Sequence, residues 1–236
     1  MRLDAGGEHG QVPAYQLLNV FTAEDGSHGN PLGVFLDASA FATTDERQRV
    51  AADLGYSESV FVDDVATGEL HIFTPASELP LAGHPLVGTA WLIAREHGSC
   101  DMLRPPAGEV PTWQDGDVRW IRARPEWAPQ MELRQYDTAA EVDVLDGPPD
   151  DLGFVDCWAW IDEQAGVVRS RVFVSDEGIP EDEATGAAAL RIGAELGRPL
   201  SIRQGKGSLL LARPGPDGTI EVGGRVADRG ERGYGD

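Results

Sequence analysis

The chain is poor in cysteine, in aromatic residues and in positive charge. Its 236 residues include two cysteines, Cys100 and Cys157, too few for a disulfide-stapled scaffold or a cysteine-rich zinc site. Lys and Arg number 19 against 40 Asp and Glu, a formal charge of −21 with a pI near 4.4. So acidic a body repels phosphate backbones and anionic lipid and has no basic stripe, which argues against nucleic-acid and membrane-surface partners. Long hydrophobic runs are also missing. Gly, Pro or a charge interrupts each apolar stretch before it could span a bilayer. The first residues, MRLDAGGEHGQ, lack the apolar segment of a signal peptide. A cytoplasmic protein is the expectation.

Several familiar chemistries leave no trace. There is no phosphate-loop or dinucleotide glycine pattern and no G-x-S-x-G nucleophile elbow. The histidines, His9, His28, His71, His84 and His97, are scattered without metal-ligand spacing. Nucleotide, metal and serine-hydrolase readings are therefore weak.

What is present is an ordinary globular composition, 41% hydrophobic and 25% charged, on a chain long enough for a sizeable core. Strand signals fall at Tyr15–Phe21, Leu32–Leu36, Ser59–Val62 and Glu69–Phe73. Asp45 is the expected cap of a helix over Arg47–Leu54. Pro85–Glu96 reads as a helix with Pro in its first turn and Gly98 after its end. Beyond Pro105-Pro106-Ala107-Gly108, strands are expected at Val118–Arg122, Met131–Arg134, Phe154–Ile161 and Val167–Val174. A helix is expected over Ala184–Leu196, then a short meander ending at Thr219–Val222. Two domains follow, 12–104 and 105–228, with frayed termini at 1–11 and 229–236. Each half repeats one order: a β-rich run, a polar loop, a small residue with Gly, then a helix rich in small residues. This suggests two similar units, each laying a helix into a curved sheet.

Three segments can carry chemistry. In Gly55-Tyr56-Ser57-Glu58-Ser59-Val60-Phe61, Glu58 sits where a helix ends and an apolar strand begins. A carboxyl group at the mouth of an apolar pocket loses hydration and becomes suited to proton exchange near neutrality. As a single Glu in an acidic chain it also reads as a solvated turn residue. In the segment ending Leu81-Ala82-Gly83-His84-Pro85, Pro85 makes His84 the expected cap of the helix. The amides at that start point outward and can hold an anion, with Gly83 permitting close approach. A plain capping turn explains the same residues. In Glu181-Asp182-Glu183-Ala184-Thr185-Gly186-Ala187, acids precede a second helix start. They complement its dipole, or they place Asp182 beside a carboxylate held by the amides around Gly186 and Ala187. Together the segments describe two helix N-termini facing a cleft with a Glu, a His and an Asp, a constellation suited to proton transfer on a small carboxylic acid.

These pieces resemble the PhzF-like family of phenazine biosynthesis. The matching elements are Val20-Phe21-Thr22, Gly29-Asn30-Pro31, Ser57-Glu58-Ser59-Val60-Phe61, Phe73-Thr74-Pro75 and Gly83-His84-Pro85. In the second half they are Arg171-Val172-Phe173, Gly178, Glu181-Asp182, Ala184-Thr185-Gly186, Gln204-Gly205 and Val222-Gly223-Gly224. They keep the family order across almost the whole chain. The resemblance implies an α+β, diaminopimelate-epimerase-like fold. Two pseudo-symmetric domains would each wrap a curved, mostly antiparallel sheet around a central helix, commonly as a homodimer. It implies a metal- and cofactor-independent isomerase acting on a small carboxylic acid. Glu58 would be the acid/base, with His84 and Asp182 beside it. Ser57, Gly83, Thr185, Gly186 and Ala187 would contact substrate. Related epimerases of this fold place a cysteine at each helix start, where this chain has Ala82 and Thr185. Paired-thiol racemase chemistry is therefore not expected. A non-catalytic small-carboxylate-binding protein on the same scaffold, or an interaction protein without a ligand, remain the alternatives.

Overall fold

A computed structural model describes residues 13–175 and 179–235. The expected frayed start at 1–11 and Gly178 therefore lie outside the described residues. Strands β1 (Ala14–Thr22), β2 (Asn30–Phe35), β3 (Glu58–Asp64), β4 (Glu69–Phe73) and β5 (Glu78–Leu79) surround helix α1 (Thr44–Leu54) in the chain. Helix α2 (Gly83–His97) leads to β6 (Met102–Leu103), β7 (Val110–Asp115), β8 (Val118–Ala123) and β9 (Glu132–Gln135). A short helix α3 (Ala139–Asp143) precedes β10 (Val155–Asp162), β11 (Val167–Val174) and β12 (Ile179–Asp182). Helix α4 (Gly186–Leu196) is followed by β13 (Leu200–Gln204), β14 (Ser208–Pro214) and β15 (Ile220–Gly233).

The strands form one path, β5-β4-β3-β2-β1-β15-β14-β13-β11-β10-β9, with β12 on β11 and with β8, β7 and β6 branching from β15. Most pairs are antiparallel, while β2–β3, β9–β10 and β11–β13 are parallel. This is the α+β, sheet-dominated class read from the sequence. The long strand β15 joins its parts. Its first residues pair with β14 and β8, and from Arg225 it pairs with β1 as far as Gly233 opposite Ala14. Phe21, in β1, has φ 66, an unusual value for a residue with a Cβ. It lies at a register shift, and its buried ring occupies the space a side chain on Gly224 would need.

The C-terminal end corrects the expectation of fraying from 229. Residues 229–233 belong to β15: 229 and 230 form a bulge, and 231–233 pair with β1. Tyr234 packs its ring against Phe35 and Phe41, and its hydroxyl donates to Asp53 at 2.8 Å. The stretch reads as loose because its Gly, Arg and acidic residues lack apolar alternation, yet its backbone groups are taken up by β1.

The helices divide by composition. Helix α1 is amphipathic and lies at the surface, with Val50 and Ala51 buried. Its cap is Thr43, not Asp45. The Thr43 hydroxyl accepts from the Glu46 amide at 3.2 Å while Glu46 accepts from the Thr43 amide at 3.0 Å, a reciprocal capping box. Helix α2 is apolar on nearly every side and is buried at every residue from Gly83 to Ala90, as a central helix must be. It packs against β1, β2, β8 and β15. Its contact with β8 crosses the point where the Pro-rich stretch suggested a boundary. Helix α4 buries Gly186 through Leu190 and then Ile192 and Gly193, and packs against β14 and β15. One hydrophobic cluster contains residues of both helices, among them Leu86, Val87, Ala90, Ala187, Leu190 and Ile192. No helix among the described residues is long and apolar enough to cross a membrane.

Candidate active site

The starts of α2 and α4 meet. A Cβ built on Gly83 would lie 2.6 Å from the Gly186 Cα, and one built on Gly186 would lie 2.5 Å from the Gly83 Cα. Real Cβ atoms do not approach backbone so closely. The two glycines are there because the helix tips touch main chain to main chain. Neither helix carries a side-chain cap at its N-terminus. The cap positions are Ala82, which has no polar atom to offer, and Thr185, whose hydroxyl is turned elsewhere. His84 is therefore not the cap that Pro85 suggested. It is the second helical residue, and Pro85 the third. Pro85 has no N–H, so α2 presents the amides of Gly83 and His84, while α4 presents those of Gly186, Ala187 and Ala188.

Both tips open on a cavity of about 110 Å³. It is lined by every candidate from the sequence: Ser57, Glu58, Gly83, His84, Asp182, Thr185, Gly186 and Ala187. The rest of the wall is Thr74, Leu79, Leu81, Ala82, Pro129, Phe154 and Val174. The wall thus combines apolar and polar side chains, without a lysine or arginine among the described residues. Neither cysteine is in it; both are free and buried elsewhere. Among the described residues no cluster of His, Cys, Asp and Glu could hold a metal ion.

Each polar side chain is delivered by a different element. Glu58 opens β3, in parallel register with Leu32 of β2. His84 Nδ1 stands 3.3 Å from Glu58 Oε2. Burial pushes the His84 imidazole down to about 4, with the Asp182 charge and the Pro31 backbone pulling the other way. The contact at neutral pH is therefore between a carboxyl group and a neutral imidazole, not an ion pair. Asp182 ends β12 opposite Val172 and is buried. Burial first, and then the nearby Glu58 charge, raise its carboxyl to about 6, against the opposing effects of His84, the Thr185 hydroxyl and Asn30.

Two residues of the family-like motifs, Asn30 and Gln204, are also part of this site. Asn30 Nδ2 donates to Asp182 Oδ1 at 2.6 Å and to the Ala184 carbonyl at 3.2 Å, while its Oδ1 accepts from Ser57 Oγ at 3.1 Å. Gln204 Nε2 donates to the Asp182 carbonyl at 3.0 Å and to Thr185 Oγ1 at 2.8 Å, and its Oε1 accepts from the Thr185 amide at 3.1 Å. Thr185 Oγ1 in turn donates to Asp182 Oδ2 at 2.6 Å. The Thr185 hydroxyl, expected to contact substrate, is thus engaged within the protein on both its donor and acceptor sides. A Gly-Asn-Pro triplet reads as a turn and a lone Gln at a strand end reads as surface, so pattern alone does not mark either residue.

The model of the PhzC-PhzF family, phenazine biosynthesis-like proteins, matches residues 18–148. A trans-2,3-dihydro-3-hydroxyanthranilate isomerase of Pseudomonas aeruginosa is 28% identical over 240 residues, covering 81% of this chain and 82% of that protein. An uncharacterized isomerase of Pasteurella multocida is 44% identical over 87 residues, which is 35% of this chain and 29% of that protein. The match therefore spans under a third of the second relative and about four fifths of the first. A crystal structure described as a phenazine biosynthesis PhzC/PhzF protein, from Clostridium difficile, superposes with a TM-score of 0.74. It is 18% identical and covers 93% of this chain and 98% of that one, a likeness that shows the fold. With more than half of its length matched by the family model, this chain belongs to the phenazine biosynthesis-like protein family.

Proposed function

We propose that the protein is an isomerase that moves a proton within a small carboxylic acid, with Glu58 as general acid and base and without a metal or organic cofactor. One observation carries the reading. Glu58, His84 and Asp182, far apart in sequence, line a single cavity onto which two uncapped helix N-termini open. With no cationic side chain in the wall among the described residues, the positive potential available to a carboxylate is that of the helix amides. Bound there, the carboxylate fixes the neighbouring carbons beside Glu58. Glu58 takes a proton from an activated C–H and returns it at a conjugated carbon. His84, neutral at working pH, supplies a hydrogen bond rather than a charge. Asp182 orients or receives protons on the substrate's polar group. The apolar wall of Leu79, Leu81, Phe154 and Val174 excludes water from the carbanion-like state. Ala82 and Thr185 occupy the two caps, so the site does not hold the thiol pair of a two-cysteine racemase. The 28% identical Pseudomonas aeruginosa isomerase supports the same class of chemistry.

The test is a library of small carboxylic acids screened by thermal shift, with hits followed by proton NMR in D2O. A bound acid is expected to take up deuterium at carbon. Glu58→Gln is expected to lower exchange by about 100- to 10,000-fold, the usual range for removing a general acid/base, while binding persists. Undiminished exchange in Glu58→Gln sinks the assignment. Binding without exchange in the wild type points to the small-carboxylate-binding alternative.

A further inference from the structure

The donor and acceptor roles around Asp182 can be worked out without ambiguity. The backbone carbonyl of Ala184 can only accept, so the Asn30 atom facing it is the NH2 group. That same NH2 group faces Asp182 Oδ1, so Asn30 donates there. Asn30 Oδ1 must then accept from Ser57. On the other side, the Asp182 carbonyl fixes Gln204 Nε2 as a donor and the Thr185 amide fixes Gln204 Oε1 as an acceptor. Gln204 Nε2 also donates to Thr185 Oγ1, so the Thr185 proton points to Asp182 Oδ2. Two chains of hydrogen bonds, Ser57 to Asn30 and Gln204 to Thr185, converge on the two oxygens of one carboxyl group. Each Asp182 oxygen receives a donor from the protein, and both NH2 groups have their hydrogens engaged.

We propose that Asn30 and Thr185, the latter set by Gln204, are positioning residues that make Asp182 the terminal acceptor of a one-way hydrogen-bond network. Asp182 is thereby held as a carboxylate inside a buried site and can gain a proton only from the cavity. The inference rests on the proton-transfer reading above for its role in turnover. Its claim about Asp182 stands on the geometry alone. Asn30 is 3% exposed and Gln204 1%, so neither network arm is replaced by water. Asn30 also ties the β2–β3 side, through Ser57 next to Glu58, to the β12–α4 side, through Asp182 and Ala184.

Among the described residues, the charged and titratable groups facing Asp182 are few. Glu58 comes from β3 and His84 from α2, while the first turn of α4 holds no acid. The adjacent acids are turned away. Glu181 pairs with Arg171, and Glu183 accepts from the Lys206 amide and the Ser208 hydroxyl. Burial and Glu58 favour the protonated acid, and the Asn30 and Thr185 donors favour the carboxylate. Removing a donor must therefore raise the Asp182 titration midpoint.

The experiment is a 13C carboxyl titration by NMR, with Asp182 assigned by its loss in Asp182→Asn. The proteins are wild type, Asn30→Leu, Asn30→Asp, Thr185→Val and Thr185→Ser. Asn30→Leu and Thr185→Val are each expected to raise the midpoint by about one unit or more, and Asn30→Asp, which adds a negative charge, by more. Thr185→Ser keeps the hydroxyl and should restore the wild-type value. If Asn30→Leu does not fold by circular dichroism, Thr185→Val decides. Folded variants with unmoved midpoints overturn the proposal. Deuterium exchange against pH separates this outcome from failure of the isomerase reading. A moved midpoint in the variants, with a wild type that never exchanges deuterium, sinks only the isomerase reading. Exchange in the wild type with an unmoved midpoint in the variants sinks only the positioning network.

Discussion

The meeting of two helix tips is the feature on which the cavity depends, and Gly186→Ala tests it. Gly186 does not have a positive φ, so alanine brings no backbone strain, and within a helix it is favoured over glycine by about 0.5–1 kcal/mol. The opposing effect is contact. The added Cβ would lie 2.5 Å from the Gly83 Cα, 2.8 Å from its carbonyl carbon and 2.9 Å from the His84 nitrogen. Carbon atoms rest about 3.5–4.0 Å apart, and main chain cannot rotate out of the way, so the tips must part by about 1 Å. Overpacking of this kind costs about 1–3 kcal/mol. A displacement of about 1 Å at a reacting centre can lower turnover about 100-fold. Gly186→Ala should therefore lose about 100-fold in exchange, while the helix preference offsets part of the overpacking and leaves a net stability loss of about 0–2.5 kcal/mol. Gly193→Ala is the matched control on the same helix. Its Cβ would meet the Ile220 Cγ2 at 3.0 Å, a side-chain atom that need give by only a few tenths of an ångström, and the Ala212 Cβ at 3.4 Å, near ordinary van der Waals contact. Its stability should stay within about 1 kcal/mol of wild type, with exchange unchanged. Urea denaturation and deuterium exchange measure the two effects. Wild-type exchange and stability in Gly186→Ala, or equal loss of exchange in both variants, would refute the argument.

The sequence is most informative where chemistry and backbone geometry coincide. Glu58 was legible because a lone acid stands between a helix end and an apolar strand. His84 and Asp182 were legible because each adjoins a small-residue helix start, and the first turns of those two helices are continuously buried, with their exposed charged residues confined to the later turns. Caps were less legible. At α1 the Thr43-x-x-Glu46 pair takes the cap that Asp45 was expected to supply, because Thr43 satisfies two orphan amides with Glu46 at once. At α2 the preference of Pro for a first helical position pointed to His84, but the chain turns earlier, at Ala82, so that Gly83 can touch Gly186. Asn30 and Gln204 were not legible as site residues at all. Their roles depend on partners more than 100 and about 20 positions away, and no local pattern records such a partner. The end of β15 was misread for a related reason. Its residues are polar because that part of the strand is largely exposed, and its order comes from pairing with the opposite end of the chain.

Two further predictions concern groups outside the cavity. Tyr234→Ala removes the ring from Phe35 and Phe41 and the hydroxyl from Asp53. It should lower stability by about 1–3 kcal/mol, and no loss in urea denaturation would show that the C-terminal end is not docked. Asp156→Asn should change how stability depends on pH. Asp156 is buried on β10. Its Oδ1 accepts from Ser170 Oγ at 2.7 Å, and its Oδ2 has no hydrogen-bond partner among the described residues. Burial pushes the carboxyl up from 3.8 to about 7, with Ser170 acting against the shift. Between those values the folded chain holds a proton that the unfolded chain has released. This contribution is full at low pH and is lost as pH rises through about 7. A gap of about three units corresponds to at most about 4 kcal/mol, of which about 3 kcal/mol falls between pH 5 and pH 8. Asn keeps the acceptor for Ser170 and cannot ionise. His84 titrates with the opposite sign, losing stability as pH falls from 6.5 to about 4, but it does so in both proteins and cancels in the difference. Relative to the wild type, Asp156→Asn should therefore gain stability between pH 5 and pH 8. Parallel pH curves for the two proteins would mean that Asp156 reaches water and ionises in the native state as freely as in the unfolded chain.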